Sequence, residues 1–128
     1  MKALAVGDDV RDLAALRMVL TSDGYQTTEA QTFESARQLL RERRFDLLIT
    51  KLRLKEYNGL HLVLHSRVFY PTTASVVVAD PPDDVSRTEA AELGAGVVVD
   101  AAEPGHVRAV VASAIEDRLL RAEPSTHA

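Results

Sequence analysis

Short strand-like runs alternate five times with longer stretches of helical periodicity. The five runs predict β-strands at Ala3–Val6, Tyr25–Glu29, Leu47–Ile49, Val76–Val78 and Val97–Val99. Between and after them, apolar residues recur at spacings of three and four, which predicts amphipathic helices. The clearest of these repeats are Leu13, Leu16 and Leu20; Phe33, Ala36 and Leu40; and Val107, Val110, Val111 and Ala114.

Residues that begin and end helices stand at the borders of these stretches. Thr32 is a suitable N-cap for the second helix, and Asp83 or Asp84 for the fourth. Gly94 can end the fourth helix, and Pro104 fits the first turn of the fifth. The caps therefore support the same five helices as the periodicity.

Alternating strands and helices in a chain of this size predict an α/β fold with parallel strands joined by right-handed crossovers. Continuous Val, Leu and Ile runs are typical of strands that are buried on both faces. The second strand is the exception, because Gln26–Glu29 is polar, and we place it at an edge. We predict a flavodoxin-like, doubly wound, five-stranded parallel sheet of order 2-1-3-4-5 with five helices.

Length and composition predict one domain. With 128 residues, the chain can bury a core without disulfides or metals, and we expect a domain over residues 1–121 and a flexible tail over 122–128. The absence of cysteine excludes disulfides and thiolate sites. No apolar run approaches the roughly 18 residues that span a bilayer, so we expect a cytoplasmic protein without membrane association. A net charge of -4 disfavours nucleic-acid binding by this domain.

The carboxyl ends of the predicted strands bring a set of polar residues to one edge of the sheet, next to the switch point between strands one and three. The residues at this edge are Gly7, Asp8, Asp9, Thr50, Lys51, Ala79, Asp80, Asp100 and Ala101. The sequence therefore predicts a carboxylate cluster around a single lysine.

Five stretches together resemble a receiver domain of the response regulator family, from about residue 2 to residue 120. They are AVGDDVRDLAALRMVL, GYQTTEA, FDLLITKLRLKEYNGL, ASVVVAD and ELGAGVVVD. The resemblance implies the receiver fold and a role in two-component signal transduction. In that family an acidic pair after strand one holds a divalent metal, and an aspartate at the end of strand three accepts a phosphoryl group.

The resemblance places different residues at these positions. The acidic pair falls on Gly7 and Asp8, with Asp9 beside them as a substitute, and the acceptor position falls on Lys51. A lysine cannot form an acyl phosphate.

The remaining family positions depart from the pattern in the same way. The hydroxyl position after strand four falls on Ala79, and the lysine position after strand five falls on Ala101, or on Asp100 if one residue is missing there. The aromatic position on strand five falls on Val98. The resemblance therefore implies a degenerate member, often called a pseudo-receiver, without catalytic residues.

Electrostatics also argues against a magnesium cofactor. Magnesium requires oxygen ligands. Two unit charges about 4 Å apart interact by roughly 4 kcal/mol at an effective dielectric near 20, so an ammonium would oppose a divalent ion by about twice that. We expect magnesium binding to be lost or weak, and we assign no metal site.

We hypothesise that the Lys51 ammonium takes the place of the metal, pairs with Asp8 or Asp9, and holds the surrounding loops in one state. The alternative is that Lys51 extends into solvent and the carboxylates are hydrated.

The sequence thus favours a non-enzymatic, phosphorylation-independent protein-interaction module in signalling. The alternative is an atypical receiver that keeps a weak metal or anionic-ligand response through Asp8 and Asp9. An enzyme or nucleotide binder of flavodoxin-like fold is disfavoured, because the chain lacks a glycine-rich phosphate loop and a paired nucleophile and base. Receivers use the surface of the fourth helix, fifth strand and fifth helix for pairing, so the resemblance implies a protein partner there, a homodimer included.

Two further groups have weaker functional interpretations. His61 and His65 are four residues apart, a spacing that can hold a metal, but no third ligand is evident. The arginines of the second helix, Arg37, Arg41 and Arg44 with Arg43 adjacent, suit an acidic partner or a phosphate backbone, although a solvated helix face is the commoner role.

Overall fold

The computed structural model describes residues 1–55, 57–79 and 84–122. The predicted site residue Asp80 and the predicted helix cap Asp83 lie outside this part of the chain. The final helix extends to Ala122, the first residue of the predicted tail, and residues 123–128 lie outside the described part.

Strands and helices alternate along the described chain, except that three strands follow one another between the second and third helices. The strands are β1 Lys2–Val6, β2 Gln26–Ala30, β3 Leu47–Lys51, β4 Arg53–Leu54, β5 Tyr57–Asn58, β6 Ala74–Val78 and β7 Gly96–Val98. The helices are α1 Val10–Ser22, α2 Phe33–Glu42, α3 Leu60–Phe69, α4 Asp84–Glu92 and α5 Pro104–Ala122.

The main sheet has the order β2-β1-β3-β6-β7, and all of its strand pairs are parallel. Counted over these five strands, the order is 2-1-3-4-5, which confirms the predicted topology. The polar strand β2 lies at an edge, as its sequence predicts. Because Val6 is in register with Thr50, and Lys51 with Val78, the carboxyl ends of β1, β3 and β6 meet at one edge.

The core has a layer on each face of the sheet, and alternate residues of one strand contribute to different layers. In β1, Ala3 and Ala5 pack in the layer that contains buried residues of α1 and α5, whereas Leu4 and Val6 pack in the layer that contains those of α2. All four side chains are fully buried. Burial on both faces explains why the predicted strands are continuous apolar runs.

The caps follow the sequence closely. Thr32 Oγ1 accepts a hydrogen bond of 3.1 Å from the Ser35 N–H, Gly94 follows α4 with a φ of +77°, and α5 begins at Pro104. Asp84 is the first residue of α4 rather than its cap.

A small antiparallel hairpin of β4 and β5 was not predicted. Arg53 pairs with Asn58 and Leu54 with Tyr57 in the segment between β3 and α3. Asn58 Oδ1 then accepts a 2.8 Å hydrogen bond from the Leu60 N–H at the start of α3. The hairpin therefore connects the end of β3 directly to the start of α3.

Candidate functional site

The carboxyl edge of the sheet is held together by backbone hydrogen bonds that continue beyond the strands. The Gly7 N–H donates to the Ala30 carbonyl, the Leu52 N–H to Val78, and the Ala79 N–H to Val98. These bonds are 2.8 to 3.0 Å long. They fix the relative positions of the residues that follow β1, β3 and β6.

Lys51, the last residue of β3, forms an ion pair with Asp12 in the first turn of α1. Its Nζ donates to Asp12 Oδ2 at 2.7 Å, and the exposed fractions of the two side chains are 21% and 42%. Lys51 therefore pairs with Asp12, and not with Asp8 or Asp9, which the sequence hypothesis had named.

Helix capping explains why Asp9 is not the partner. Asp9 is the N-cap of α1, and its Oδ1 accepts hydrogen bonds of 2.8 Å from the Arg11 N–H and 3.3 Å from the Asp12 N–H. The cap commits this carboxylate to the helix. Asp8 is exposed and interacts with Lys51 only through its charge.

The carboxylates around Lys51 stabilise its charged form. The hydrogen bond to Asp12 raises the pKa of Lys51 above its usual value, burial opposes this rise, and the charges of Asp12, Asp8 and Asp9 add to it. Lys51 therefore carries a full positive charge at neutral pH, close to three carboxylates.

The Lys51 side chain passes close to Gly7. A Cβ atom built on Gly7 would lie 3.4 Å from Lys51 Cδ and 3.5 Å from Leu13. The aliphatic part of Lys51 therefore crosses the buried Gly7 on its way to α1. A Cβ atom at position 7 would make ordinary van der Waals contact with Lys51, so only a side chain longer than that of alanine would compete with the lysine for this path.

Gly59 holds the end of β3 from the other side. Its N–H donates to the Leu52 carbonyl at 2.7 Å, and a Cβ atom at this position would overlap the Lys51 carbonyl oxygen. The Thr50 hydroxyl, which is fully buried, donates to that same oxygen at 3.0 Å. The Lys51 backbone is therefore fixed while its side chain points to α1.

The β6 and β7 side of the site offers no hydroxyl or cation among the described pocket residues. Ala79 and Val98 are buried, and Ala101 is half-buried against the core. Asp100 folds back on its own loop, where its Oδ1 accepts a 3.0 Å hydrogen bond from the Ala102 N–H. The remaining predicted pocket residue, Asp80, lies outside the described chain.

No group of three or more His, Asp or Glu residues within the described ranges is placed to bind a metal ion. In α3, the His61 ring lies edge-on to Phe33 at 6.4 Å, and the His65 ring lies 4.8 Å from Phe69. Burial, together with the charges of Arg41 and Arg37, lowers the pKa of His65. Both histidines thus contact aromatic rings.

None of the described helices is long and apolar enough to cross a bilayer.

Comparison with known proteins agrees with the observed fold and with the resemblance found in the sequence. A model of the response regulator receiver domain matches residues 3–105. The alginate biosynthesis transcriptional regulatory protein AlgB of Pseudomonas aeruginosa is 31% identical over 122 residues, which cover 94% of this chain and 27% of AlgB. The response regulator protein PilR of the same organism is 31% identical over 125 residues, which cover 95% of this chain and 28% of PilR.

A solved structure agrees in fold. The response regulator receiver domain protein of Clostridium thermocellum superposes with a TM-score of 0.82 at 18% identity, and the match covers 94% of this chain and 98% of that one. By contrast, the chain spans only about a quarter of the length of the curated relatives it matches.

Proposed function

The chain belongs to the response regulator receiver domain family, and we propose that within it this chain is a pseudo-receiver. Its function is then a non-enzymatic, phosphorylation-independent protein-interaction module in two-component-type signal transduction. AlgB and PilR are regulators of the same family. We propose a related signalling role for this chain, but without regulation by phosphorylation.

The ion pair between Lys51 and Asp12 is the observation that carries this proposal. At the position where the family resemblance expects a phosphoryl acceptor, the side chain ends in an ammonium 2.7 Å from a carboxylate. An ammonium has no oxygen that could accept a phosphoryl group. The ion pair also links β3 to α1 without the need for a bound metal ion.

The carboxylates at this edge do not fit a magnesium ion. Asp9 is committed to the cap of α1 and Asp12 to Lys51, which leaves the exposed Asp8 as the one uncommitted carboxylate of the three. Magnesium is normally bound through one or two carboxylates together with substrate phosphates, and with an ammonium at the acceptor position no protein-bound phosphate can complete such a set around Asp8. The Lys51 charge opposes a divalent ion at the same place. We therefore infer that magnesium binding is lost or weak.

Incubation with acetyl phosphate and magnesium, followed by intact-mass measurement, tests the proposal. We expect no gain of a phosphoryl group, while a receiver with an acceptor aspartate, treated in parallel, gains one. A stoichiometric, magnesium-dependent gain on this chain would instead support an atypical receiver that responds through Asp8 and Asp9, and it would overturn the pseudo-receiver assignment.

We propose the face formed by α4, β7 and α5 as the surface for a protein partner. A groove of about 440 Å³ crosses this face, and small residues such as Ala91, Gly96 and Ala109 line it. The edge strand β7 lies along the groove, so a partner can approach the sheet closely. A second copy of the chain is one such partner.

Bulky variants test this surface. Ala91→Arg and Ala109→Arg place a long charged side chain in the groove, whereas Ser35→Arg makes a comparable change on an exposed position of α2. We expect the first two to abolish self-association or copurification of a native partner from the source cells, and Ser35→Arg to preserve it. Equal behaviour of all three variants would contradict the assignment.

A further inference from the structure

A second candidate site lies at the opposite end of the sheet, where the amino ends of the strands meet. We propose that this basal groove binds a nucleotide through both its phosphates and its base. The groove has a volume of about 680 Å³, within the range typical of small-molecule sites. Its defining residues are Lys2, Arg43, Arg44, Phe45, Phe69 and Tyr70.

One wall of the basal groove is basic. Arg43 and Arg44, in the loop between α2 and β3, are exposed, and so is Lys2 at the start of β1. None of these three side chains forms a salt bridge within the described part of the chain. The Arg43 N–H donates to the Leu39 carbonyl at 2.9 Å, so the hydrogen bonding of α2 continues to this residue. Exposed guanidinium groups without an internal carboxylate partner suit phosphate oxygens.

The acidic residue of this groove does not offset the basic wall. Asp46 accepts a 3.0 Å hydrogen bond from the buried Arg118 and a 2.8 Å bond from the Lys2 backbone N–H. Burial raises the pKa of Asp46, but these bonds outweigh it and leave the pKa below its usual value. The ion pair with Arg118 compensates the Asp46 charge, so Lys2, Arg43 and Arg44 give the groove its net sign.

The other wall is aromatic. The Phe69 side chain is 63% exposed, and Tyr70 and Pro71 follow it at the end of α3. The Tyr70 N–H donates to the Ser66 carbonyl at 2.6 Å, which fixes the start of this wall. The floor between the walls consists of the buried, apolar Leu40 and Phe45. An aromatic wall over an apolar floor suits a planar base, because any base can stack on an exposed ring.

The two walls together select the ligand class. A bare phosphate would use only the basic wall, and an uncharged ring only the aromatic one. The carboxyl ends of α2 and α3 point to this side and bring partial negative charge, roughly half a unit each. The three full positive charges of Lys2, Arg43 and Arg44 exceed this partial negative charge. Attraction of a phosphate to the groove therefore does not require a glycine-rich phosphate loop.

The basal groove is independent of the Lys51 site. The five residues of β1 separate the two ends of the sheet by roughly 15 Å. Failure of the nucleotide proposal would therefore leave the pseudo-receiver proposal untouched, and the reverse also holds.

Titration with ADP, followed by amide NMR, tests the proposal directly. Pyrophosphate and adenosine serve as the phosphate-only and ring-only probes. We expect saturable shifts at groove residues with ADP, and at least tenfold weaker binding of each partial probe, because each engages one wall. No saturable shift with ADP at millimolar concentration, or pyrophosphate binding as tightly as ADP, would overturn the proposal.

Matched variants locate the site. Arg43→Gln with Arg44→Gln removes two charges from the basic wall and should weaken ADP binding at least tenfold, since each charge-assisted bond contributes severalfold to affinity. Phe69→Ala should weaken it severalfold. Arg53→Gln removes an exposed charge at the opposite end of the sheet and should leave binding unchanged. If Arg53→Gln weakens binding as much as the double variant, the attraction is non-specific and the groove is not the site.

Discussion

The Lys51 side chain determines the contacts and the charge balance of the residues around it. Its ammonium forms an ion pair with Asp12 of α1, and its aliphatic part lies over Gly7. The charges of Asp8 and Asp9 add to the local negative charge. Removal of the lysine would leave these carboxylates with mutual repulsion and no cation. We therefore expect the stability of this edge to depend on the lysine charge.

A double-mutant cycle measures this dependence. We expect Lys51→Met and Asp12→Asn to show a coupling free energy of about 1 kcal/mol in denaturant unfolding, reduced by the partial exposure of both groups. The more exposed pair of Arg17 and Glu29, 3.4 Å apart, provides the control and should show weaker coupling. Equal coupling of both pairs would mean that Lys51 has no special role.

The contribution of Lys51 to the free energy of unfolding depends on pH in a defined direction. The folded-state pKa of Lys51 is raised above its unfolded value near 10.5. Its contribution to stability is therefore fully present below that value, and it is lost as the pH rises through the higher folded pKa. Unfolding of wild type and Lys51→Met should differ by a constant free energy from pH 7 to 9 and converge under more alkaline conditions. A difference that grew with alkaline pH would contradict the pairing.

Restoration of the family's acceptor residue should not restore the switch. Lys51→Asp adds a carboxylate beside Asp8 and Asp9, but Gly7 supplies no ligand and the buried Ala79 supplies no hydroxyl. We expect at most weak magnesium binding in calorimetry and no robust phosphorylation by acetyl phosphate. Efficient phosphorylation of this single variant would show that the pocket is far less degenerate than proposed.

The sequence hypothesis paired Lys51 with Asp8 or Asp9, whereas the lysine pairs with Asp12. The identity of the partner depends on where α1 begins. Because Asp9 becomes the N-cap, Asp12 is placed in the first turn, within reach of β3. A shift of the helix start by a single residue would change which carboxylate is available. Strand and helix periodicity does not resolve positions to that accuracy.

At the level of elements, the β4–β5 hairpin determines how β3 connects to α3. Gly59 ends this hairpin, and its backbone lies against the Lys51 carbonyl so closely that no side chain fits between them. The position of the lysine therefore depends on a glycine eight residues later in the chain.

Gly59→Ala tests this close approach. We expect a loss of about 2 kcal/mol or more in the free energy of unfolding, since a Cβ atom must displace the Lys51 backbone. Gly105→Ala is the matched control, because the nearest atom to its Cβ would be Glu103 Oε1 at 3.4 Å and alanine favours the helix. A thermal melt of both variants compares them. An unaltered melt of Gly59→Ala would show that the hairpin yields easily.

The five parallel strands and their order were predictable, whereas the hairpin was not. Buried parallel strands leave long apolar runs, as in Leu47–Ile49 and Val76–Val78, and the polar β2 identified its own edge position. A two-residue strand is too short to produce a periodic pattern, and of the β4 residues only Leu54 is buried. The pairing of β4 with β5 instead follows from the positions of the two ends of this segment, which are set by β3 and by the Gly59 bond to Leu52.

For the whole molecule, the family and the fold are established by the match over residues 3–105 and by the sheet order. We propose that the Lys51 ammonium at the switch point acts as an internal cation that fixes one state, and that signalling depends on partner binding at the α4–β7–α5 face instead of on a phosphoryl group.

The most direct test is the amide NMR spectrum of the wild-type chain with magnesium and beryllofluoride, which together mimic the phosphorylated state of a receiver. We expect an unchanged spectrum around Gly7, Asp8, Asp9, Lys51 and Ala79, because in the proposed function the Lys51 ammonium takes the place of the metal. Saturable, magnesium-dependent shifts at these residues would contradict it.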